Sequence, residues 1–375
     1  MSNVTARIED HFAELTDPRR REVTYPLVNI VVMALCGVLS GADDFVAIAH
    51  WAETKKDWLA KFLDMSAGVP SHDRFNAIIA ALRPAEFEKC LLSWMTSLHE
   101  VTDGQVIAID GKTLRRSFDA ASSKAPIHMV SAWATANHIS LGQVVTDAKS
   151  NELTAIPELL KILEIKGCLV TIDAMGCQRE IAEKIIDAKA DYVLAVKENQ
   201  PNLHAAIRDF FRQHLEDDCE SIACRRDETH EQGHGRKDDR YYYLAKLPAD
   251  FPLKEKWSGL KAIGMAVRIT EHSNGKTSDD VRYYITSRYL SGKKFSGAVR
   301  GHWGIENSLH WQIDVTFGED QSRIRKGHAA ANFSLLRRTS LSLLKNNKSK
   351  KIGVKNKRLS AAWDDNYRLK ILCGK

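Results

Sequence analysis

Along most of the first hundred residues apolar positions recur at helical spacing. In SHDRFNAIIAALRPAEFEKCLLSWMTSLHEV, Ser71 or Asp73 can cap one helix and Pro84 can open the next. Residues from about 7 to 100 are therefore expected to form a small helical domain. The most apolar run, YPLVNIVVMALCGVLSGA from Tyr25, is interrupted by Pro26, Asn29, Gly37 and Ser40. It is marginal against the roughly 20 apolar residues that a spanning helix needs, so it reads as a buried core helix and no membrane partner is expected.

After Gly104 the texture changes to short strands: VIAID, HMVSAWAT from His128 and ISLGQVVTD from Ile139, separated by small or polar turns as in an antiparallel meander. TAIPELLKILEIK then has helical spacing and leads to LVTIDAM, a helix from Gln178 to Ala188, the strand YVLAVK from Tyr192, and a helix opened by Pro201 that runs to about Gln213. Strands alternating with helices after a meander predict an α/β fold with a mixed sheet. From about Cys219 to Ser287 the pattern is strand-like and polar, with a turn signal SNGK at Ser273, and reads as a β-rich insertion. Helical spacing returns near Phe295, continues through RGHWGIENSLHWQIDVTF, and resumes from about Ala329 to Lys345. The expected divisions are 1–100, 101–218, 219–290, 291–345 and 346–375.

At 375 residues with 44% hydrophobic and 27% charged positions, the composition is that of an ordinary soluble protein of one large or several smaller domains. The net charge of +6 is mild, but KNNKSKKIGVKNKR, from Lys345 to Arg358, contains no acid. A basic tail of this kind suggests a polyanion, with nucleic acid first. The seven cysteines are odd in number and scattered, and no secretory signal precedes them, which fits a reducing, cytoplasmic setting.

The chemistry is carried by acids. VIAIDGKTLRRSF brings an apolar run to Asp110, and CLVTIDAMG repeats the arrangement at Asp173. Neighbouring strands ending in carboxylates would share divalent cations, and a pair of such ions can activate a water or hydroxyl and stabilise the leaving oxygen in phosphodiester cleavage. Carboxylates suit Mg²⁺ because hard ions prefer oxygen. A third ligand should come from a helix beside the sheet. Glu306 in HWGIENSLHW is the choice, since His302 and His310 flank it at four-residue spacing and the helix is rich in aromatic and aliphatic residues. Glu152 competes, but its place before a helix interrupted by Pro157 favours capping. Rival motifs fail on spacing. DGKT lacks the upstream glycine of a phosphate loop, and Lys112 stands where a haloacid dehalogenase would have a second aspartate. Cys219, Cys224, His230 and His234 place only five residues between Cys224 and His230, where a zinc finger has about twelve.

Taken together, VIAIDGKTLRRSFD, HMVSAWA, KSNELTAIPELL, VTIDAMGCQREIA, YVLAVKENQPNL, GHGRKDDRYY, RGHWGIENSLHWQIDVTFGEDQSRIRKGHAAANFSLLRR and the N-terminal DPRR resemble the DDE transposases of the ISAs type, including the H-repeat-associated proteins. The resemblance covers the chain from about residue 7 to its end. It implies a ribonuclease-H-like mixed-sheet core with a β-rich insertion before the third acid, preceded by a transposase-associated helical domain. Asp110, Asp173 and Glu306 match the three acids, which implies two Mg²⁺ or Mn²⁺ ions, double-stranded DNA as partner and a homodimer on DNA. Lys112, Arg115, Arg116, Lys197, Arg236, Arg240, Arg323, Arg325 and Lys326 are candidate phosphate contacts, and His234 with Arg236 would place the insertion against DNA. In related insertion-sequence transposases the third acid sits in a tyrosine, arginine, glutamate, lysine signature. Here those positions are Val299, His302, Glu306 and Ile313, so only the acid matches, and Arg300, His302, Asn307 and His310 are candidates for comparable work. Two other readings stay open: a catalytically silent DNA-binding relative, and a metal-dependent nuclease without strand transfer.

Overall fold

The structure, a computed structural model, describes residues 8–20, 23–98, 105–114, 127–146, 152–233 and 235–374. Its helices and strands follow in the order α1 (Leu27–Leu39), α2 (Phe45–Thr54), α3 (His72–Ala81), α4 (Pro84–Leu98), β1 (Val106–Leu114), β2 (Ile127–Ala134), β3 (Ile139–Thr146), α5 (Glu152–Ile162), β4 (Leu169–Ile172), α6 (Arg179–Asp187), β5 (Asp191–Val196), α7 (Pro201–His214), β6 (Cys224–Gly233), β7 (Arg236–Lys246), β8 (Ala262–His272) and β9 (Thr277–Thr286). Then come α8 (Gly292–Ile305), a π-helical segment Glu306–His310, α9 (Trp311–Phe317), α10 (Ala329–Asn346), α11 (Val354–Trp363) and α12 (Asp365–Leu372). The chain divides into two compact units, the first holding residues 1–101, 111–149 and 306–375, the second 102–110 and 150–305.

The first unit is mainly helical. α1 is buried from Asn29 to Leu39, the core helix expected from its composition, and no helix among the described residues is long and apolar enough to cross a membrane. It packs against α10, which is buried over almost its whole length. The local signals work as expected: the Ser71 hydroxyl accepts the Arg74 N–H and so caps α3, and Pro84 opens α4. The C-terminal carbonyls of α3, which would otherwise be orphaned in the core, accept from the Asn332 amide of α10 at Ile79 (2.7 Å) and Leu82 (3.0 Å). β2 and β3 form an antiparallel hairpin with a register shift between Ala132 and Trp133.

Residues 346–375 are not the basic tail expected from their charge; they fold as α11 and α12. The reason is that several of the cations point inward. Lys357 donates to the carbonyls of Leu344 (3.0 Å) and Asn347 (2.6 Å), closing the C-terminal end of α10 where a cation is favoured. Arg358 donates to the Val38 carbonyl (2.9 Å), the Thr316 carbonyl (2.6 Å) and the Asp43 carboxylate (2.6 Å). The Arg368 guanidinium is buried over the rings of Trp58 and Trp51, at 4.0 and 5.0 Å.

The second unit is built on a mixed sheet in the order β1-β4-β5-β9-β8-β7-β6. β1, β4 and β5 are parallel, and β9 then adds antiparallel to β5, from Val193 opposite Thr286 to Val196 opposite Tyr283. The expected β-rich insertion thus extends the sheet edge to edge. One face is covered by α8, whose Phe295, Ala298 and Val299 pack with Leu169, Val193, Tyr242, Leu244 and Tyr284. Gly264 makes this approach possible, because a Cβ there would lie 2.4 Å from the Phe295 ring.

Candidate active site

The parallel pairing of β1 with β4 runs from Val106 opposite Leu169 to Ile109 opposite Ile172. The next residue on each strand is an aspartate, Asp110 and Asp173. Parallel neighbours are about 4.8 Å apart, and Asp110 and Asp173 each stand one residue beyond the last paired position of adjacent strands. The apolar positions that fix the register, Ile107, Ala108, Ile109, Val170 and Ile172, are all buried. Asp173 follows the last residue of its strand, as expected. Asp110 does not end its strand: β1 continues to Leu114, and Asp110 marks where its pairing with β4 stops.

Asp173 is oriented by its own loop. Its Oδ1 accepts the N–H groups of Met175 (3.1 Å) and Gly176 (3.3 Å), a turn in which an aspartate satisfies the backbone that follows it. Gly176 is required there, since a Cβ would sit 2.3 Å from Ile172 Cγ2. The residues after β5 brace the same loop: Asn199 donates to the Ala174 carbonyl at 2.6 Å and Gln200 to that of Cys177 at 3.0 Å. Burial pushes the Cys177 thiol up and the Asp173 carboxylate adds to the shift, so this cysteine is an inert thiol. Sequence reasoning missed Asn199 and Gln200; their place just before Pro201, at the mouth of a helix following a strand, was the available signal.

The donor set fits a hard divalent cation, which takes one or two protein carboxylates. Among the described residues no group of three or more His, Cys, Asp or Glu is gathered to hold a metal. Glu306 is exposed, belongs to the first unit, and opens the π-helical segment that breaks what the pattern predicted as one continuous helix. Such segments place an extra residue in a helical turn and recur at functional sites.

His302 is half-buried, with Nδ1 3.4 Å from the Thr171 hydroxyl, two residues before Asp173. Burial holds its pKa below the ordinary histidine value, opposed by the Asp173 charge, so it is a neutral ring that braces β4. His310 is half-buried, its pKa pushed down to about 3 by burial, with Arg338 and Lys112 adding to the effect.

Lys112 departs furthest from expectation. Its ammonium is paired with Asp314, with Glu319 at 3.1 Å and with Asp320 at 3.9 Å, and only a tenth of the side chain is exposed. Glu319 is buried between Lys112, the Arg338 guanidinium (3.2 Å) and the Ser334 hydroxyl (2.6 Å). A lysine that left this cluster for a DNA phosphate would strand the buried Glu319 carboxylate, so Lys112 is structural. The acid pair in FGED is visible in the sequence; its lysine, some two hundred residues earlier, is not.

The remaining basic candidates differ in their freedom. Arg240 pairs with Glu231 (2.9 Å) and Asp238 (3.2 Å), Arg236 with Asp238 (3.1 Å), and Arg300 with Glu231. Lys197, Arg323 and Lys326 are exposed, as is Asn307, and Arg325 is half-buried. Arg115, Arg116 and His234 lie outside the described residues.

A family model described as Transposase DDE domain matches residues 101–343, and another described as DDE_Tnp_1-associated matches residues 9–95. The chain belongs to the DDE transposase family. This transposase is 41% identical over 367 residues to "Putative transposase YncI" of Escherichia coli O157:H7, covering 97% of this chain and 93% of that one. It is 39% identical over 379 residues to "H repeat-associated putative transposase YhhI" of Escherichia coli K12, covering 98% of both. An alignment with a piggyBac transposase in a synaptic complex with hairpin DNA covers 99% of this chain and 78% of that one, at 12% identity and a TM-score of 0.39. The transposase is thus a DDE-type enzyme with a mixed α/β core and an N-terminal helical region.

Proposed function

We propose that this transposase cuts DNA at the ends of an insertion sequence and joins the freed 3′ hydroxyls to target DNA, with Asp110, Asp173 and Glu306 holding two Mg²⁺ or Mn²⁺ ions. The observation that supports the reading is the β1–β4 register, in which an aspartate follows the last paired residue of each strand. When bound, the ions would activate the attacking oxygen and stabilise the leaving one. In the first step a water oxygen bonds to phosphorus and the 3′ oxygen leaves with a proton. In the second, that 3′ oxygen bonds to a target phosphorus and displaces a target 3′ oxygen. One ester is made for each one broken, so no nucleotide cofactor is needed and the same acids serve both steps.

The chain's own part is positional. Met175 and Gly176 hold one oxygen of Asp173 through their N–H groups, and His302, as a neutral ring, steadies Thr171 on the same strand. Lys197, Arg323 and Lys326 are the exposed cations we assign to phosphate contacts. Two element ends acted on together imply a homodimer on double-stranded DNA.

The test is cleavage of labelled duplex carrying the sequences that flank the gene, with Mg²⁺ or Mn²⁺, by the intact protein, Asp173→Asn and Glu306→Gln. Metal-dependent nicking at the ends and joined products, both lost in either variant, are expected. Specific binding without nicking by the intact protein would instead identify a catalytically silent relative, and nicking without joined products a nuclease.

A further inference from the structure

The acid-free run near the C-terminus is absorbed only in part by the fold. Lys357 and Arg358 are buried, and Lys350 lies over the Tyr367 ring at 4.2 Å. Lys348, Lys351 and Lys355 remain exposed. On α11, Lys355, Leu359 and Trp363 follow one another at four-residue intervals and so share a face. That face looks outward: Leu359 is 40% and Trp363 76% exposed, and Ile352 just before the helix is 42% exposed. The opposite face carries Lys357, Arg358 and Ala361 into the first unit, so the outward stripe is held on a fixed helix.

We propose that the outward face of α11, with Lys348, Lys351, Lys355 and Trp363, is a docking surface for the sugar-phosphate backbone of duplex DNA, independent of sequence and additional to the active site. The proposal rests on the transposase reading for its polyanion. Charge complementarity selects the partner: three exposed lysines at and just before the start of α11 share its outward side with an exposed indole two turns on, which suits phosphates alternating with apolar sugar faces. The nearest acids are already used, Asp364 accepting the N–H groups of Asn366 and Tyr367, and Asp365 pairing with Lys55 at 2.9 Å. Lys348 also reaches the Lys345 carbonyl at 3.5 Å, a contact that keeps its charge at the surface. A second copy of the chain fits less well, because a two-fold contact would bring the same lysines against themselves.

The experiment measures binding of the full chain to a labelled duplex of random sequence between about 50 and 200 mM salt. It compares wild type, the triple Lys348→Gln, Lys351→Gln, Lys355→Gln, a control triple of exposed lysines elsewhere (Lys56→Gln, Lys61→Gln, Lys276→Gln), and Trp363→Ala. Each phosphate contact contributes about 0.9 to the slope of log affinity against log salt, so three contribute about 2.7. Over the fourfold range of salt, wild type should lose roughly 40-fold more affinity than the α11 triple. The control triple should keep nearly the wild-type slope, and Trp363→Ala should bind more weakly at every salt with the slope unchanged. Equal behaviour of the two triples would overturn the proposal. So would a Trp363→Ala protein with unchanged DNA affinity that no longer self-associates in sedimentation, which would assign the face to a second copy. End cleavage followed in the same preparations separates the two claims: cleavage with no α11 effect sinks only this surface, and an α11 effect without cleavage sinks only the proposed reaction.

Discussion

Replacing Lys112 with methionine tests whether the buried cluster in the first unit is a structural clamp. Burial alone would raise the Glu319 carboxyl, but Arg338 and Lys112 outweigh it and hold the group at about 2, against an ordinary 4.5. That difference of roughly two and a half pH units corresponds to about 3 kcal/mol, shared among Arg338, Lys112, Arg337 and the Ser334 hydroxyl. Lys112 also serves the half-buried Asp314, so its loss leaves the buried Glu319 and Asp314 both short of a cation, and breaking a buried pair in this way costs about 3–5 kcal/mol. A loss of about 3 kcal/mol at pH 7 is therefore expected, read from urea unfolding followed by circular dichroism. The sign with pH follows from Glu319. A depressed carboxylate contributes stability that is fully present above about pH 4.5 and is lost as the pH falls toward 2. The gap between wild type and Lys112→Met should consequently be widest near neutrality and narrow below pH 4.5. Lys112 lowers the Asp314 carboxyl as well, although burial leaves it raised, so Asp314 adds to the gap near neutrality; Lys112→Met is therefore also compared in a Glu319→Gln background, where the gap should shrink at pH 7. A gap under about 1 kcal/mol, unchanged between pH 7 and 3, would refute the clamp and return Lys112 to the surface cations.

Gly264→Ala should destabilise the second unit by about 1–3 kcal/mol, because its methyl would overlap the Phe295 ring; an unchanged thermal midpoint would show that α8 can shift freely. His302→Gln should leave duplex affinity and its salt slope unaltered while lowering end cleavage about tenfold, the cost of disturbing one buried hydrogen bond beside Asp173; a slope reduced by about 1 would make His302 a phosphate contact instead.

Much of this structure could be read from residue order, because its decisive signals are local. Ser71, Pro84 and Pro201 mark helix starts wherever they occur, and alternating or continuous apolar runs delimit β1 to β5. The two aspartates were legible for the same reason: each closes an apolar run, which is a local signal. What escaped reading depends on distant partners. Whether Lys112 faces solvent is decided by Asp314 and Glu319, and whether the lysine-rich C-terminal stretch folds is decided by carbonyls that Lys357 and Arg358 find on α10 and α1. The edge pairing of β9 with β5 is likewise a choice of neighbour that strand composition does not encode. The π-helical segment at Glu306 escaped because one extra residue in a turn leaves the apolar spacing almost unchanged.

The antiparallel extension of the sheet has a cost for the cell that makes this protein. Among the described strands, β6 ends the sheet, so one row of its N–H and C=O groups faces away from the ladder with β7. Such a row is a template on which another chain can add, the first step toward fibrous aggregates, and the start of α8 lies against it only near Arg226 and Asp227. The sequence of β6, CRRDETHEQG, sets Arg225, Arg226, Asp227, Glu228, His230 and Glu231 along that margin. Its poverty in apolar residues, which weakens it as a strand taken alone, is a safeguard: an incoming strand would have to strip water from a charge at nearly every position.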